Sequence, residues 1–228
     1  MLVKKKTCFI VILTLFLASC SLFRHPEGPG KEKIPLGSKL AVFGFEPALL
    51  NGQQSKAMRD PITGSVFMAE PVSKVVAQEL TIKLYHLVSQ RGGYTLIPPM
   101  EVNNSRFRVE NSTSDLSERP LDFCVRAGKA LGADVVVLGY LYRWRERKGE
   151  PYGVRQAASV AFSLSLVSVR ERRVLWSGRY DKTQRSLTEN LLDLITFLRG
   201  KGKWMSAEEL GLVGLKRTVK EMPLPQVE

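Results

Sequence analysis

DVVVLGYLYRW, residues 134–144, decides the fold. From Val135 as far as Leu141 the stretch is apolar at consecutive positions, as a strand reads when layers cover both of its faces; a strand with one wet face would alternate. Just upstream, Leu121 to Leu131 carries a helical pattern that ends at Gly132. The passage ALGADVVVLGYL is therefore a helix turning directly into a central strand, the unit from which α/β sheets are built.

Working outward toward the amino terminus, KLAVFGFEPA from Lys39 is a short apolar run suited to a second buried strand. Residues 51–69 are polar and contain glycine, and read as a loop. Glu70-Pro71 is expected to open a helix, with proline in its first turn. Val72, Val76, Leu80, Leu84, Leu87 and Val88 then fall three or four residues apart as one apolar stripe, which Gly92-Gly93 closes. YTLIPP from Tyr94 reads as another short strand, and the Ser- and Asn-rich segment 101–119 as a flexible excursion.

Toward the carboxyl terminus the pattern changes to strict alternation. Val160, Phe162, Leu164 and Leu166 point one way, while Ala161, Ser163 and Ser165 point the other. RERR, 170–173, is the turn, and VLWSGRY returns as the paired strand. Two capping boxes follow: Ser186 with Glu189 begins a helix carrying Leu191, Leu194, Ile195 and Leu198, and Ser206 with Glu209 begins one carrying Leu210, Val213 and Leu215. The order β-α-β-α-β-β-β-α-α predicts an α/β domain with a mixed β-sheet and flanking helices.

The chain opens MLVKKKTCFIVILTLFLASC, in which Lys4, Lys5 and Lys6 precede an apolar core from Cys8 to Leu17. That core is of export-signal length, short of the roughly 20 residues a membrane-spanning helix needs. Leu17, Ala18, Ser19 and Cys20 resemble the lipobox of bacterial lipoproteins. The resemblance implies cleavage before Cys20, diacylglyceryl and N-acyl lipid on Cys20, and, with Ser21 following, sorting to the outer membrane, where the domain is expected at the periplasmic face. Three segments are expected: a signal peptide at 1–19, a lipidated flexible tether at 20–37 and the α/β periplasmic domain at 38–228, its folded part ending near Met222. Cys8 leaves with the signal and Cys20 is acylated, so Cys124 is left without a second thiol for an internal disulfide. Its neighbours Phe123 and Val125 mark it as a small buried residue.

With the three leader lysines removed, 31 Lys and Arg face 22 Asp and Glu, a mature net charge of +9. The membrane is the first partner expected, through the lipid; an envelope protein, or an anionic cell-wall or lipid surface, is the second. The compartment argues against nucleic acid. No catalytic constellation is visible: the only histidines are His25, in the tether, and His86, on the polar side of a helix. Neither a phosphate-binding glycine loop nor a G-x-S-x-G elbow occurs, and Glu208 and Glu209 sit in a first helical turn, where the helix dipole accounts for them. No metal and no cofactor beyond the covalent lipid is expected. Carboxylates distant in sequence could still meet in a cleft, which leaves an enzyme with a dispersed carboxylate site as one alternative.

The candidate partner-binding residues lie in YRWRERKG, 142–149. Unbroken alternation places Arg143, Arg145 and Arg147 on one face and Tyr142 and Trp144 on the other. If the core stops near Leu141, Arg143, Trp144, Arg145 and Arg147 form a docking surface, or else a solvated strand end that discourages edge pairing.

AVFGFE, ALGADVVVLGYL and SLSLVSVRERRVLWSGRYDKT together resemble the bacterial envelope lipoproteins with a TolB N-terminal-like domain, the family that includes the penicillin-binding-protein activator LpoB and the curli secretion protein CsgG. The resemblance implies a TolB N-terminal-like fold and a non-catalytic adaptor or regulator of a cell-wall or outer-membrane process. Its alternative is a subunit of a secretion or assembly complex of the CsgG type, with an oligomer possible. The tether of about 18 residues spans at most roughly 60 Å. No alternating segment of pore-hairpin length is evident at 51–69 or 101–119, which argues against a pore subunit.

Overall fold

The structure, a computed structural model, describes residues 34–111, 119–150, 153–184 and 204–226. The leader, Cys20 and the helix expected from Ser186 lie outside the described residues. In chain order the elements are β1 (Lys39–Pro47), β2 (Lys56–Arg59), β3 (Val66–Ala69), α1 (Lys74–Arg91), β4 (Thr95–Leu96), α2 (Pro99–Asn111), α3 (Pro120–Leu131), β5 (Val135–Arg145), β6 (Lys148–Glu150), β7 (Gly153–Gln156), β8 (Ser159–Ser168), β9 (Arg173–Thr183) and α4 (Ala207–Glu221).

Five strands make one mixed sheet in the order β4-β1-β5-β8-β9. β1 runs parallel to β4 and β5, whereas β8 is antiparallel to β5 and to β9. β5 lies at the centre, and its doubly apolar sequence follows from that position. Val135, Val137 and Leu141 pack into the layer with α1 and α4, and Val136 and Leu138 into the layer with α2 and α3. Each such side chain contributes roughly 1.5–3 kcal/mol by leaving water. The fold is thus the α/β arrangement with a mixed sheet that the pattern predicts.

Local chemistry sets the helix ends. In α3, Pro120 stands in the first turn and Gly132 closes the helix at φ 63°, its N–H donating to the carbonyls of Gly128 and Lys129. Cys124 is fully buried on the inner face of this helix. The expected capping box of α4 is reciprocal: the Glu209 N–H donates to Ser206 Oγ at 3.1 Å, and the Ser206 N–H to Glu209 Oε2 at 2.9 Å. α4 crosses the sheet closely because Gly211 and Gly214 carry no side chain. A Cβ there would lie 2.6 Å from the Trp144 ring and 2.5 Å from the Tyr180 ring.

Three expectations are corrected. Residues 51–69 are not all loop, because KAMR and VFMA pair as the antiparallel hairpin β2–β3. Phe67 and Ala69 point inward to join Leu49, Tyr142 and Ala161, and Val66 and Met68 point out. Each strand has four residues, short of the roughly nine to eleven a membrane-crossing strand needs. α1 begins three residues later than expected, at Lys74. The backbone N–H groups of Glu70 and Val72 are already committed to the carbonyls of Tyr142 and Leu49, and Ser73 caps the helix by accepting from the Val76 N–H. The segment read as an excursion is helical from Pro99 to Asn111, where Val102, Ser105 and Val109 supply a sparse buried stripe in a polar sequence.

Candidate functional site

Gly44 interrupts β1 with a bulge: the register to β5 shifts between Val42 and Gly44, and Gly44 adopts φ 79°. The bulge turns the Phe45 N–H out of the ladder. Thr81 of α1 takes it up, its Oγ1 accepting from Phe45 N at 2.8 Å while donating to the Ala77 carbonyl at 2.8 Å. A side chain at position 44 would collide with Thr81, since a Cβ there would lie 2.2 Å from Thr81 Cγ2. Glycine lets the helix approach, and beyond this point α1 and α2 part to leave a cleft.

That cleft, about 590 Å³, lies at the carboxyl end of β1. Its base is Phe43, Phe45 and Ala77, and Lys74, Gln78, Tyr85 and His86 of α1 face Pro99, Asn103 and Arg106 of α2 across it. Arg106 is the organising polar group. It donates through Nη1 to the Phe43 carbonyl at 2.8 Å, pairs through Nη2 with Glu46, and meets Glu110 at 3.6 Å. Its guanidinium stands 5.6 Å from the centre of the Phe43 ring. The buried Nε of Arg106 has no hydrogen-bond partner among the described residues. Exposed apolar side chains accompany the opening: Ile82 lines it at 58% exposure, and Met100 and Phe107, on the helical stripe next to Pro99 and Arg106, are 74% and 69% exposed. Nothing in the cleft resembles an activated nucleophile. Among the described residues no three His, Cys, Asp or Glu side chains gather as a metal site.

The arginines singled out in the sequence do not form one solvent-facing ladder. A second bulge lies between Leu141 and Arg143 in the pairing of β5 with β8. It breaks the alternation, so Tyr142 and Arg143 both reach the side covered by the β2–β3 hairpin. Arg143 is 7% exposed. It donates to Ser159 Oγ at 2.7 Å, to the Met68 carbonyl at 3.0 Å and to the Asp181 carboxylate. Trp144 packs on the other side, against Gly211 of α4. Arg145 pairs with Glu70 at 3.1 Å, and Arg147 donates to the Trp204 carbonyl at 3.0 Å. The core therefore continues past Leu141, and these side chains fasten the hairpin and the approach to α4 onto the end of the central strand.

Asp60 holds the same hairpin from within. It is 2% exposed; Oδ1 accepts from the N–H groups of Ile62 and Thr63, and Oδ2 from Tyr142 Oη at 2.8 Å and from Ser163 Oγ. Burial works against its charge, but the hydrogen bonds from Ser163, Thr63, Tyr142 and Ile62 outweigh it and hold the carboxyl below its ordinary range. Burial, reinforced by the neighbouring Asp60, pushes the Tyr142 hydroxyl up. Above the pair, Phe67 stacks on Tyr142 at 4.1 Å and Arg179 covers Phe67 at 4.1 Å.

Sequence reasoning missed Glu46, Thr81 and Arg106. The available signal was Gly44 inside AVFGFE, since a glycine within a strand marks a bulge or a close approach.

No family model matches the chain, and no curated protein matches it. Among solved structures it is similar to the LpoB C-terminal domain from Salmonella enterica, at 17% identity over 66% of this chain and 86% of that one, with a TM-score of 0.40. It is similar to the PelC dodecamer from Paraburkholderia phytofirmans, at 12% identity over 86% and 94% of the two chains, TM-score 0.43. A third likeness is to a lipoprotein from Neisseria meningitidis, at 16% identity over 71% and 92%, TM-score 0.38.

Proposed function

We propose that this protein is an outer-membrane-anchored lipoprotein whose periplasmic domain is a non-catalytic adaptor, binding a protein partner of an envelope process at the cleft between α1 and α2. The observation that carries the reading is the makeup of that cleft. Its charged groups, Glu46 and Arg106, pair with each other, with only the buried Arg106 Nε left without a partner among the described residues, while Ile82, Met100 and Phe107 stand exposed beside them. Exposed apolar side chains grouped around a concavity mark a binding surface, because leaving them in water costs free energy that a partner recovers. The anchor rests on the leader ending at Cys20. No helix of the described residues is long and apolar enough to cross a membrane.

Photo-crosslinking residues placed at Ile82 and Phe107 in living cells test the adaptor reading, with the exposed Lys216 of α4 as control. Discrete protein adducts are expected from the two cleft positions and none from position 216. Identical adducts from all three positions, or none from the cleft, would contradict it.

A further inference from the structure

At the end of the sheet remote from the cleft the chain enters the fold at Ile34, which is 4% exposed in the core, so residues 34–37 are part of the domain and not of the flexible tether expected at 20–37. Ile34 and Pro35 precede β1 there, Pro35 bridges to Gln226, and the Gln226 N–H donates to the Ile34 carbonyl at 2.8 Å. The amino ends of the parallel strands share this pole. The Asp134 carboxylate accepts from the Lys39 N–H at 2.8 Å, and the Asp134 carbonyl accepts from the Val169 N–H at 2.9 Å. Two strand spacings of about 4.8 Å thus place the β8–β9 turn roughly 10 Å from Lys39.

What this pole presents is basic and apolar together. Pro35 to Ser38 closes a tight turn, with Gly37 at φ 78° and the Ser38 N–H donating to the Pro35 carbonyl at 3.2 Å. Its tip is Leu36, 64% exposed, at a position where turns ordinarily carry polar residues. Leu224, 37% exposed, sits two residues before the Gln226 bridge. Beside them the β8–β9 turn holds out Arg170 and Arg172, whose side chains are 81% and 60% exposed. Among their carboxylate contacts, Glu171 lies 3.6 Å from Arg170 and Asp122 3.4 Å from Arg172, Asp122 being already bonded by Arg119 at 2.8 Å. Exposed pairs of this kind are weak and readily exchanged for another anion.

We propose that this pole is a lipid-facing surface that rests on the anionic phospholipid headgroups of the membrane, with Leu36 entering the interface and Lys39, Arg170 and Arg172 meeting phosphates. The proposal rests on the anchored reading above for its geometry. The residues between Cys20 and Ile34 span at most about 50 Å, so a lipidated chain keeps the pole near a bilayer and makes weak surface contacts effective. Charge complementarity selects the occupant. Each basic side chain near an anionic bilayer raises partitioning roughly fivefold, and an exposed leucine adds an apolar foothold. The adaptor cleft, at the opposite end of β1, then points away from the membrane.

The mature chain with Cys20→Ala, sedimented with phosphatidylcholine vesicles with and without phosphatidylglycerol, tests this surface without help from the lipid. Binding is expected only with phosphatidylglycerol and is expected to fall as salt rises. Arg170→Gln with Arg172→Gln should weaken binding by roughly tenfold or more, whereas Lys56→Gln with Arg59→Gln, an equal change of charge at the far pole, should leave it within about twofold. A fluorophore on Leu36→Cys should shift to the blue on the anionic vesicles, a readout that does not depend on the arginine variants. Equal losses from both charge pairs, an unshifted fluorophore on bound protein, or binding indifferent to phosphatidylglycerol would overturn the proposal. Because the assayed chain is not acylated, such a failure leaves Cys20 acylation standing, and a failure of acylation leaves this result standing.

Discussion

Arg143 and Asp60 are two buried charges that the fold satisfies from different elements. Arg143 draws on β3, β8 and β9, and Asp60 ties the hairpin turn to Tyr142 and Ser163. Arg143→Gln removes the charge facing Asp181 and leaves the Met68 carbonyl under-satisfied. Asp181 keeps Arg179 at 3.0 Å, so the loss is expected near the low end for broken buried pairs, about 2–4 kcal/mol, read from denaturant midpoints. A melting transition that does not move would return Arg143 to the role of a solvated strand end. For Asp60 the sign follows from the depressed carboxyl. Its folded value lies below 3.8, so its contribution is complete above that pH and is lost as the pH falls through the folded value. Asp60→Asn is expected to flatten the acid limb of the stability curve, and an unchanged limb would contradict the assignment.

Among the elements, α4 depends on its two glycines. Gly211→Leu should push the helix off Trp144 and cost about 1–3 kcal/mol despite leucine's better helix propensity; a stabilised variant would show that the close approach is not required. What the sequence revealed divides along similar lines. β5, α3 and the α4 capping box were legible because each is written in a contiguous run: two-faced apolarity from Val135, a glycine stop at Gly132, and Ser206 three residues before Glu209. The β2–β3 hairpin was not, since four residues per strand give a period of two almost nothing to repeat over. Nor was the bulge beyond Leu141, which depends on how β8 pairs and not on β5 alone. Missing the hairpin removed the cover from Arg143, and missing the bulge put Tyr142 on the wrong face. The cleft went unread for a related reason: α2 builds one wall of it, and its buried stripe is only Val102, Ser105 and Val109.

At the scale of the whole molecule, the parallel strands give the domain two unlike ends. One receives the chain at Ile34 beside Leu36 and the basic β8–β9 turn; the other carries the cleft and the hairpin. With the proposed cleavage before Cys20 the remaining chain would carry a net charge of +9, which suits the proposed place beside anionic surfaces. All of this places function at the membrane only if Cys20 is the anchor. Metabolic labelling with an acyl probe, followed by membrane fractionation of wild type and Cys20→Ala, tests that most directly. The wild type is expected to carry label and to pellet with the outer membrane, and Cys20→Ala to lose both. A Cys20→Ala protein that is still labelled and still pellets there would contradict the account.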